Sequence, residues 1–408
     1  MVAAGKRSKY YRAFAIVTIG GAGLLLLALG GIVMSAGNAT GKAPSGARLQ
    51  RIQASPQFRE GSFVNDLARH DGSLLQIGYQ SLVGRSQFTR PQTPLPIVHR
   101  SAQDFAALPD NGLRVTWLGH SSVLIELDGK RVLVDPVWGE RASPLTWLGP
   151  KRFHPPPIAL AELPPIDAVV ISHDHYDHLD YPTITQLAAR KPRFVVPLGV
   201  GAHLEAWGIP ASDIEELDWW EAAALDDVQL VATPARHFSG RSLTFADKNR
   251  TLWSGWAITG PTHRVYYSGD TAMFPGFSAI GERLGPFDLT LIESGAYDPL
   301  WTDVHLGPEQ AVDAHLMVRG KRLMPVHWGT FNLAFHGWTE PVERLLAKAA
   351  ALGVDVVVPR QGQSVELEST LPLVRWWPEV PWQTAAETPV ISSGIQIHDT
   401  EAAELVHP

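Results

Sequence analysis

Between Ser172 and Asp180 the chain reads Ser-His-Asp-His-Tyr-Asp-His-Leu-Asp, with histidines at His173, His175 and His178. No other stretch constrains the fold so tightly. The five residues before it, Asp167 to Ile171, are mostly apolar and β-branched, and read as a short buried strand. Asp180 and Pro182 read as a cap and an early helical proline for a helix over 183–190. The cluster therefore lies on a loop between a strand end and a helix start. His173 and His175 alternate, so an extended loop lets both reach one ion. Asp177 and His178 lie past a turn, where they can serve a second ion beside the first. Imidazole and carboxylate without thiolate suit zinc or a similar first-row ion, with manganese or iron as alternatives. A solvated polar loop is the bland reading. Four ligand-type residues in six positions directly after a buried strand weigh against it.

A chain of 408 residues, 45% hydrophobic and 18% charged, has the composition of a folded protein with a large core. The net charge of −7 argues against a nucleic-acid substrate, since a polyanion calls for a basic face. With no cysteine, disulfides and thiolate metal sites are excluded. Most of the 14 tryptophans belong in the core, and some suit a membrane surface or a lipid site.

The N-terminus carries Lys6, Arg7, Lys9 and Arg12, then an uncharged, mostly apolar run over 13–34. A bilayer-spanning helix needs about 20 residues, against about 7–15 for a signal-peptide core. Length favours one transmembrane anchor, and the basic flank places everything after it on the extracytoplasmic side. The alternative is a secreted or periplasmic protein after cleavage near Ser35, Ala36 and Gly37. The expected organisation is a basic flank and anchor over 1–36, a linker and wrapping segment over 37–111, a catalytic domain over 112–370, and a tail over 371–408. The tail's Trp376, Trp377 and Trp382 should pack on the domain, with order lost beyond Thr384.

Within the domain, strands are expected over 114–119, 123–127 and 131–134, with Asp128-Gly129 as a tight hairpin turn. Further strands are expected over 194–197, 214–217, 228–232, 251–257, 264–268, 287–293, 322–326 and 354–358, and helices over 202–207, 308–318 and 341–352. Meandering strands followed by strands alternating with helices suggest two mixed sheets packed together with helices outside.

Three more ligand-type residues each lie just past a predicted strand: His237, Asp270 and His327. Strand ends present their loops to a common edge. Singly, each is an ordinary hydrogen-bonding residue. Joined to the cluster, they make a pattern.

With these residues in place the chain resembles the metallo-β-lactamase superfamily, from about Gly112 to Gly362, through the His-x-His-x-Asp-His signature at His173, His175, Asp177 and His178. It looks most like the branch of N-acyl-phosphatidylethanolamine-hydrolysing phospholipases D and ascorbate-phosphate lactonases. That likeness rests on Thr116-Trp117-Leu118-Gly119-His120-Ser121-Ser122, Leu133-Val134-Asp135-Pro136, Tyr176 within the cluster, Ser268-Gly269-Asp270-Thr271 and His327-Trp328-Gly329-Thr330-Phe331. The resemblance implies an α/β fold, the four-layered αβ/βα sandwich. It implies two divalent ions: His173, His175 and His237 on the first, Asp177, His178 and His327 on the second, and Asp270 bridging both. His305, in His305-Leu306-Gly307-Pro308, resembles the phospholipases' active-site histidine segment. His120 and Asp135 would orient the ligands, or else serve only as hairpin-end hydrogen bonders.

The expected activity is a metal-dependent phosphodiesterase of phospholipase D type. It would act on N-acyl phospholipids through a hydroxide shared by the two ions, with Asp177, Asp270 and His305 in catalytic roles. The alternative on the same ions is a lactone or carboxyl-ester hydrolase. A non-catalytic, metal-dependent binding protein is the rival of another class, disfavoured because all seven ligand positions are kept. The expected partners are a lipid or small-molecule ester and a membrane, with no nucleic acid. No Gly-x-Ser-x-Gly elbow signals a serine nucleophile.

Overall fold

The computed structural model describes residues 30–31, 36–70, 72–367 and 374–396. The run over 13–34, read as an anchor, therefore lies outside the described residues save Gly30 and Gly31. Among the described residues no helix is long and apolar enough to cross a membrane.

Before the domain come α1 (Gly46–Ala54), the two-residue strands β1 (Phe58–Arg59) and β2 (Ser62–Phe63), and α2 (Leu74–Val83). The first half of the domain holds β3 (Leu113–Gly119), β4 (Ser122–Leu127), β5 (Lys130–Val134), β6 (Ala168–Val170), α3 (Tyr181–Ala188), β7 (Arg193–Pro197), α4 (Gly201–Ala206) and β8 (Ile214–Leu217). The second holds β9 (Ala222–Leu225), β10 (Val228–Thr233), β11 (Gly255–Thr259), β12 (Arg264–Tyr267), α5 (Gly276–Leu284), β13 (Phe287–Glu293), α6 (Pro308–Met317), β14 (Gly320–Val326), α7 (Glu340–Leu352) and β15 (Asp355–Val356). A last strand, β16 (Ser364–Glu366), crosses back to pair with β3, and α8 (Ser393–Gln396) closes the described chain.

These strands form two seven-stranded mixed sheets, ordered β16-β3-β4-β5-β6-β7-β8 and β15-β14-β13-β12-β11-β10-β9. Strand alternation explains the layering. In β4, Val123, Ile125 and Leu127 enter the core between the sheets, while Leu124 turns outward to the core under α3 and α4. Likewise Val132 and Val134 of β5 face inward and Leu133 outward. In the second sheet Trp256, Ile258, Val265 and Tyr267 face the first, while Ala257 and Tyr266 lie in the core under α5, α6 and α7. Both faces of both sheets are thus buried, which yields helix, sheet, sheet and helix layers. Each fully buried Val, Leu or Ile contributes about 1.5–3 kcal/mol to holding them together.

Several expectations shift. The strand expected over 251–257 begins at Gly255 instead, because Ser254 donates its amide to the Ser172 carbonyl, tying that lead-in to the histidine loop. Helix α5 is not among the expected elements, because Gly276, Gly281 and Gly285 in and around it lower helical propensity and mask the spacing of Phe277, Ile280 and Leu284. Gly281 is required there: a Cβ would stand 2.3 Å from the Met317 carbonyl oxygen of α6. Residues 37–42 are no loose linker. The Ala39 carbonyl accepts from buried Arg241, and Lys42 N donates to His203 Nδ1 at 3.0 Å. The described part of the tail beyond Thr384 is anchored at its end, with Ser392 buried and Ser393 Oγ donating to Asp303, while residues 397–408 lie outside the described residues. Trp376 and Trp377 pack on Trp328, as expected.

Candidate metal centre

The histidine loop leaves β6 at Val170 and enters α3 at Tyr181. Asp180 occupies the cap position, its carboxylate taken by the Gly139 amide and the Thr183 hydroxyl. Asp174 points away from the cluster and anchors the loop, accepting from Gly240 N at 2.8 Å and Thr251 Oγ1 at 2.9 Å. Arg241 lies over the Tyr176 ring and binds the carbonyls of Asp174 and Leu179. The loop is therefore held along its length before any ion is considered.

The other site residues arrive on sharp turns at strand ends. His120 follows β3, Asp135 follows β5 and His327 follows β14, with φ values of 54°, 38° and 65°. Left-handed backbone at non-glycine residues costs energy, and the surrounding packing must hold it. The turn re-aims each side chain into the shared cleft between the sheets. His237 follows β10, and Asp270 follows β12 behind Gly269, where a Cβ would fall 2.6 Å from the Ser254 carbonyl.

All seven expected ligands converge. His173, His175, His237 and Asp270 form one group of donor atoms, and His120, Asp177, His178 and His327 another. In the first group His173 Nε2 stands 2.8 Å and His237 Nε2 3.3 Å from His175 Nδ1. In the second, Asp177 Oδ2 is 3.5 Å from His178 Nε2 and 3.3 Å from His327 Nε2. Asp270 joins them: its Oδ2 lies 3.1 Å from the Nε2 atoms of His178 and His327, and 3.8 Å from those of His173 and His237.

Hydrogen bonds on the far side of two of the rings decide which nitrogen faces inward. His237 Nδ1 meets the Val304 carbonyl at 2.9 Å, so it carries the proton and Nε2 presents a lone pair to the cluster. His178 Nδ1 meets Asp135 Oδ2 at 2.7 Å with the same consequence. His178 Nε2 and Asp270 Oδ1 are buried without hydrogen-bond partners, as donor atoms awaiting a cation would be. The donor set and its orientation fit a divalent first-row ion in each group.

The electrostatics agree. Burial alone would raise the Asp177 and Asp270 carboxyls, but their neighbouring imidazoles, His178 first, outweigh it and hold both well below the usual carboxylate range. Burial, then His178 among the neighbours, pushes His173 well below its ordinary value. For His178 burial acts in the same sense, yet Asp270, Asp177 and Asp135 overcome it and raise it well above. Two buried carboxylates thus draw positive charge into the cleft.

His120 and Asp135 both touch ligands. His120 Nε2 lies 2.9 Å from Asp177 Oδ2, and its ring centroid 4.1 Å from that of His327. His305 stands with its ring centroid 5.2 Å from His237 and 5.2 Å from His327, between the two groups. Its Nδ1 pairs with Glu293 Oε2 at 2.8 Å.

Sequence reasoning missed Glu293, although it ends β13 as Val326 ends β14, and that strand-end position was the available signal. It joins Asp270, His305 and His327 in a third group of potential ligands. Burial foremost raises its carboxyl. Asn65 was missed as well. Its side chain accepts from His237 N at 3.0 Å and donates to His237 O at 2.9 Å, so the wrapping segment fixes a ligand from outside the domain.

The model of the beta-lactamase superfamily domain matches residues 130–328, from β5 to just past His327. An N-acyl-phosphatidylethanolamine-hydrolysing phospholipase D of Caenorhabditis elegans is 40% identical over 264 residues, covering 62% of this chain and 73% of its own. The chain belongs to the metallo-β-lactamase superfamily, on its N-acyl-phosphatidylethanolamine phospholipase D-like branch. An uncharacterised protein of Mycobacterium tuberculosis is 48% identical over 368 residues, spanning 87% of this chain and 97% of its own. The isothiocyanate hydrolase from Delia radicum gut bacteria shares the fold, with a TM-score of 0.50 at 18% identity, over 62% of this chain and 98% of its own. As a superfamily member the protein is a metal-dependent hydrolase.

Proposed function

We propose that the protein is a dinuclear phosphodiesterase of phospholipase D type, cleaving the head-group bond of N-acylated phospholipids. One observation carries the reading: Asp270 Oδ2 stands within 3.8 Å of ligand nitrogens from both groups, in a chain 40% identical to a named N-acyl-phosphatidylethanolamine-hydrolysing enzyme. Two divalent ions, zinc foremost, would supply Lewis acidity and a water acidified towards neutral pH. His173, His175 and His237 would hold one and Asp177, His178 and His327 the other, with Asp270 setting their spacing.

The remaining work falls to the chain's own groups. In the reaction a water oxygen bonds to phosphorus, the bond from phosphorus to the ethanolamine oxygen breaks, and that oxygen takes up a proton. His305 is placed to handle that proton. Glu293 holds its Nδ1, which leaves Nε2 for the exchange. His120 donates to Asp177 through Nε2 and packs on His327, keeping both in register. The uncharged run over 13–34 would tether the enzyme to a membrane, with the domain outside the cytoplasm.

Parallel assay of the metal-loaded protein on an N-acyl phospholipid, a generic phosphodiester and a panel of lactones tests the proposal. Turnover of the phospholipid above both others is expected. A preference for lactones would overturn it in favour of ester hydrolysis on the same residues.

A further inference from the structure

Helix α2 is inside out. Of its ten residues, Leu75, Tyr79, Leu82 and Val83 are 87%, 67%, 84% and 62% exposed. Their spacing of four, three and one places them on a single helical face. The opposite side, Ile77, Gln80 and Ser81, is half-buried, so the helix rests on its less apolar side and presents its apolar one. A helix this short is marginal alone in water, and an apolar face of this size is normally covered.

The location of α2 says what covers it. Its lead-in is tied to the metal centre on one side: Asn65 brackets His237, and His70 N and Nδ1 both meet Asp303 Oδ2 at 3.1 Å, two residues before His305. Its exit is tied on the other side, where Ser86 N donates to Phe335 O at 2.8 Å, in the segment that follows His327. The helix thus spans the rim between the flanks of the two ligand groups. The charge around it is one-sided as well. In a chain of net charge −7, residues 72–99 contain Arg85 and Arg90 and no aspartate or glutamate, and Arg100 beyond them is paired with Asp104 at 3.3 Å. Arg85 and Arg90 are exposed just beyond the apolar face.

We propose that α2 is an interfacial helix that seats the rim of the metal centre on the surface of a phospholipid bilayer. Leu75, Tyr79, Leu82 and Val83 enter the acyl boundary, and Arg85 and Arg90 meet lipid phosphates. The inference deepens the phospholipase reading, because it delivers the bond to be cut to the site without extracting the acyl chains. Its test, however, reads docking and not turnover.

The chain has no cysteine, so Tyr79→Cys creates a unique labelling position on an exposed side chain. Lys321→Cys serves as control, at the opposite end of β14 from His327. Each full-length, metal-loaded variant carries a fluorophore and is placed in nanodiscs of phosphatidylcholine, with or without phosphatidylglycerol. The expected result is quenching by spin-labelled lipid at least about threefold stronger at position 79 than at 321. It should be stronger with phosphatidylglycerol, and Arg85→Glu with Arg90→Glu should remove that excess. Equal quenching at the two positions overturns the proposal. So does a label at 79 shielded from both the lipid quencher and aqueous iodide, which would mean that protein, such as a second copy, covers the face. Failure of the substrate reading would appear separately, as absent N-acyl phospholipid turnover with the quenching contrast intact.

Discussion

Replacing Asp135 with asparagine should weaken metal binding without touching a metal ligand. The carboxylate is fully buried and accepts four hydrogen bonds: Ser172 N at 2.7 Å on Oδ1, and Ser172 Oγ at 2.5 Å, His178 Nδ1 at 2.7 Å and Tyr267 OH at 2.5 Å on Oδ2. An amide has one acceptor oxygen. If that oxygen takes the Oδ1 position, the NH2 group faces three donors. His178 can then satisfy it only by moving its proton to Nε2, the atom that faces Asp177 and Asp270. If the oxygen takes the Oδ2 position, the NH2 group meets the Ser172 amide head-on. Either arrangement removes at least one charge-assisted hydrogen bond, worth about 1.5–3 kcal/mol. Outer partners of metal-binding histidines typically change affinity about 10–100-fold, or about 1.4–2.7 kcal/mol. Titration of the apo-protein with zinc against a competing chelator should show one of two sites weakened in that range. Tyr267→Phe is the graded control, since it removes one donor and leaves the carboxylate; it should cost about 1.5–3 kcal/mol of stability while leaving the His178 tautomer, and so the metal affinity, nearly unchanged. An Asp135→Asn protein that binds both ions as tightly as the parent would refute the tautomer argument.

Other expectations follow from the same geometry. Reconstituted protein should return two equivalents of metal by elemental analysis, and Asp177→Asn should lose most turnover while keeping its far-UV circular dichroism; less than one equivalent, or full activity, would remove these residues from the centre. Asn65→Ala should free the His237 backbone and lower metal affinity at the histidine-rich group while moving the melting temperature little, which the same chelator titration reads. Burial would raise the Asp303 carboxyl, yet donors from Ser393, His70 and Ser392 outweigh it and hold it well below the usual range. Its stabilisation is therefore complete above the unfolded value of about 3.9 and is lost as the pH falls through the lower folded value. Asp303→Asn should be the less stable protein at neutral pH, with the gap narrowing as denaturation curves are taken below about pH 4.

The sheets were legible because alternation left little choice. A strand such as Ala168–Val170, buried on both faces, reads as a short apolar run, and Asp128-Gly129 adopts the positive φ values its hairpin needs. The converging ligands were legible for a related reason: each is a histidine or aspartate within a few residues of a strand's end. What escaped notice had a weak local signature or none. Helix α5 hides behind glycines chosen for close approach to α6. Strand β16 is short and gains its pairing from β3, distant in sequence, while β9 is a four-residue alanine-rich strand that reads weakly until it pairs with β10. Asn65 reaches His237 across 172 positions, a relation no motif records. Glu293 looked like the end of a buried strand, and only the approach of His305 gives its carboxylate a task.

The central claim is that water attacks phosphorus in an N-acyl phospholipid and expels the N-acylethanolamine. The direct test is mass spectrometry of products formed in oxygen-18 water by the metal-loaded protein, beside the same protein after chelation. The account predicts unlabelled N-acylethanolamine and phosphatidate carrying one oxygen-18, with both products absent without metal and restored on its return. Label in the N-acylethanolamine, release of labelled fatty acid, or turnover indifferent to chelation would contradict it.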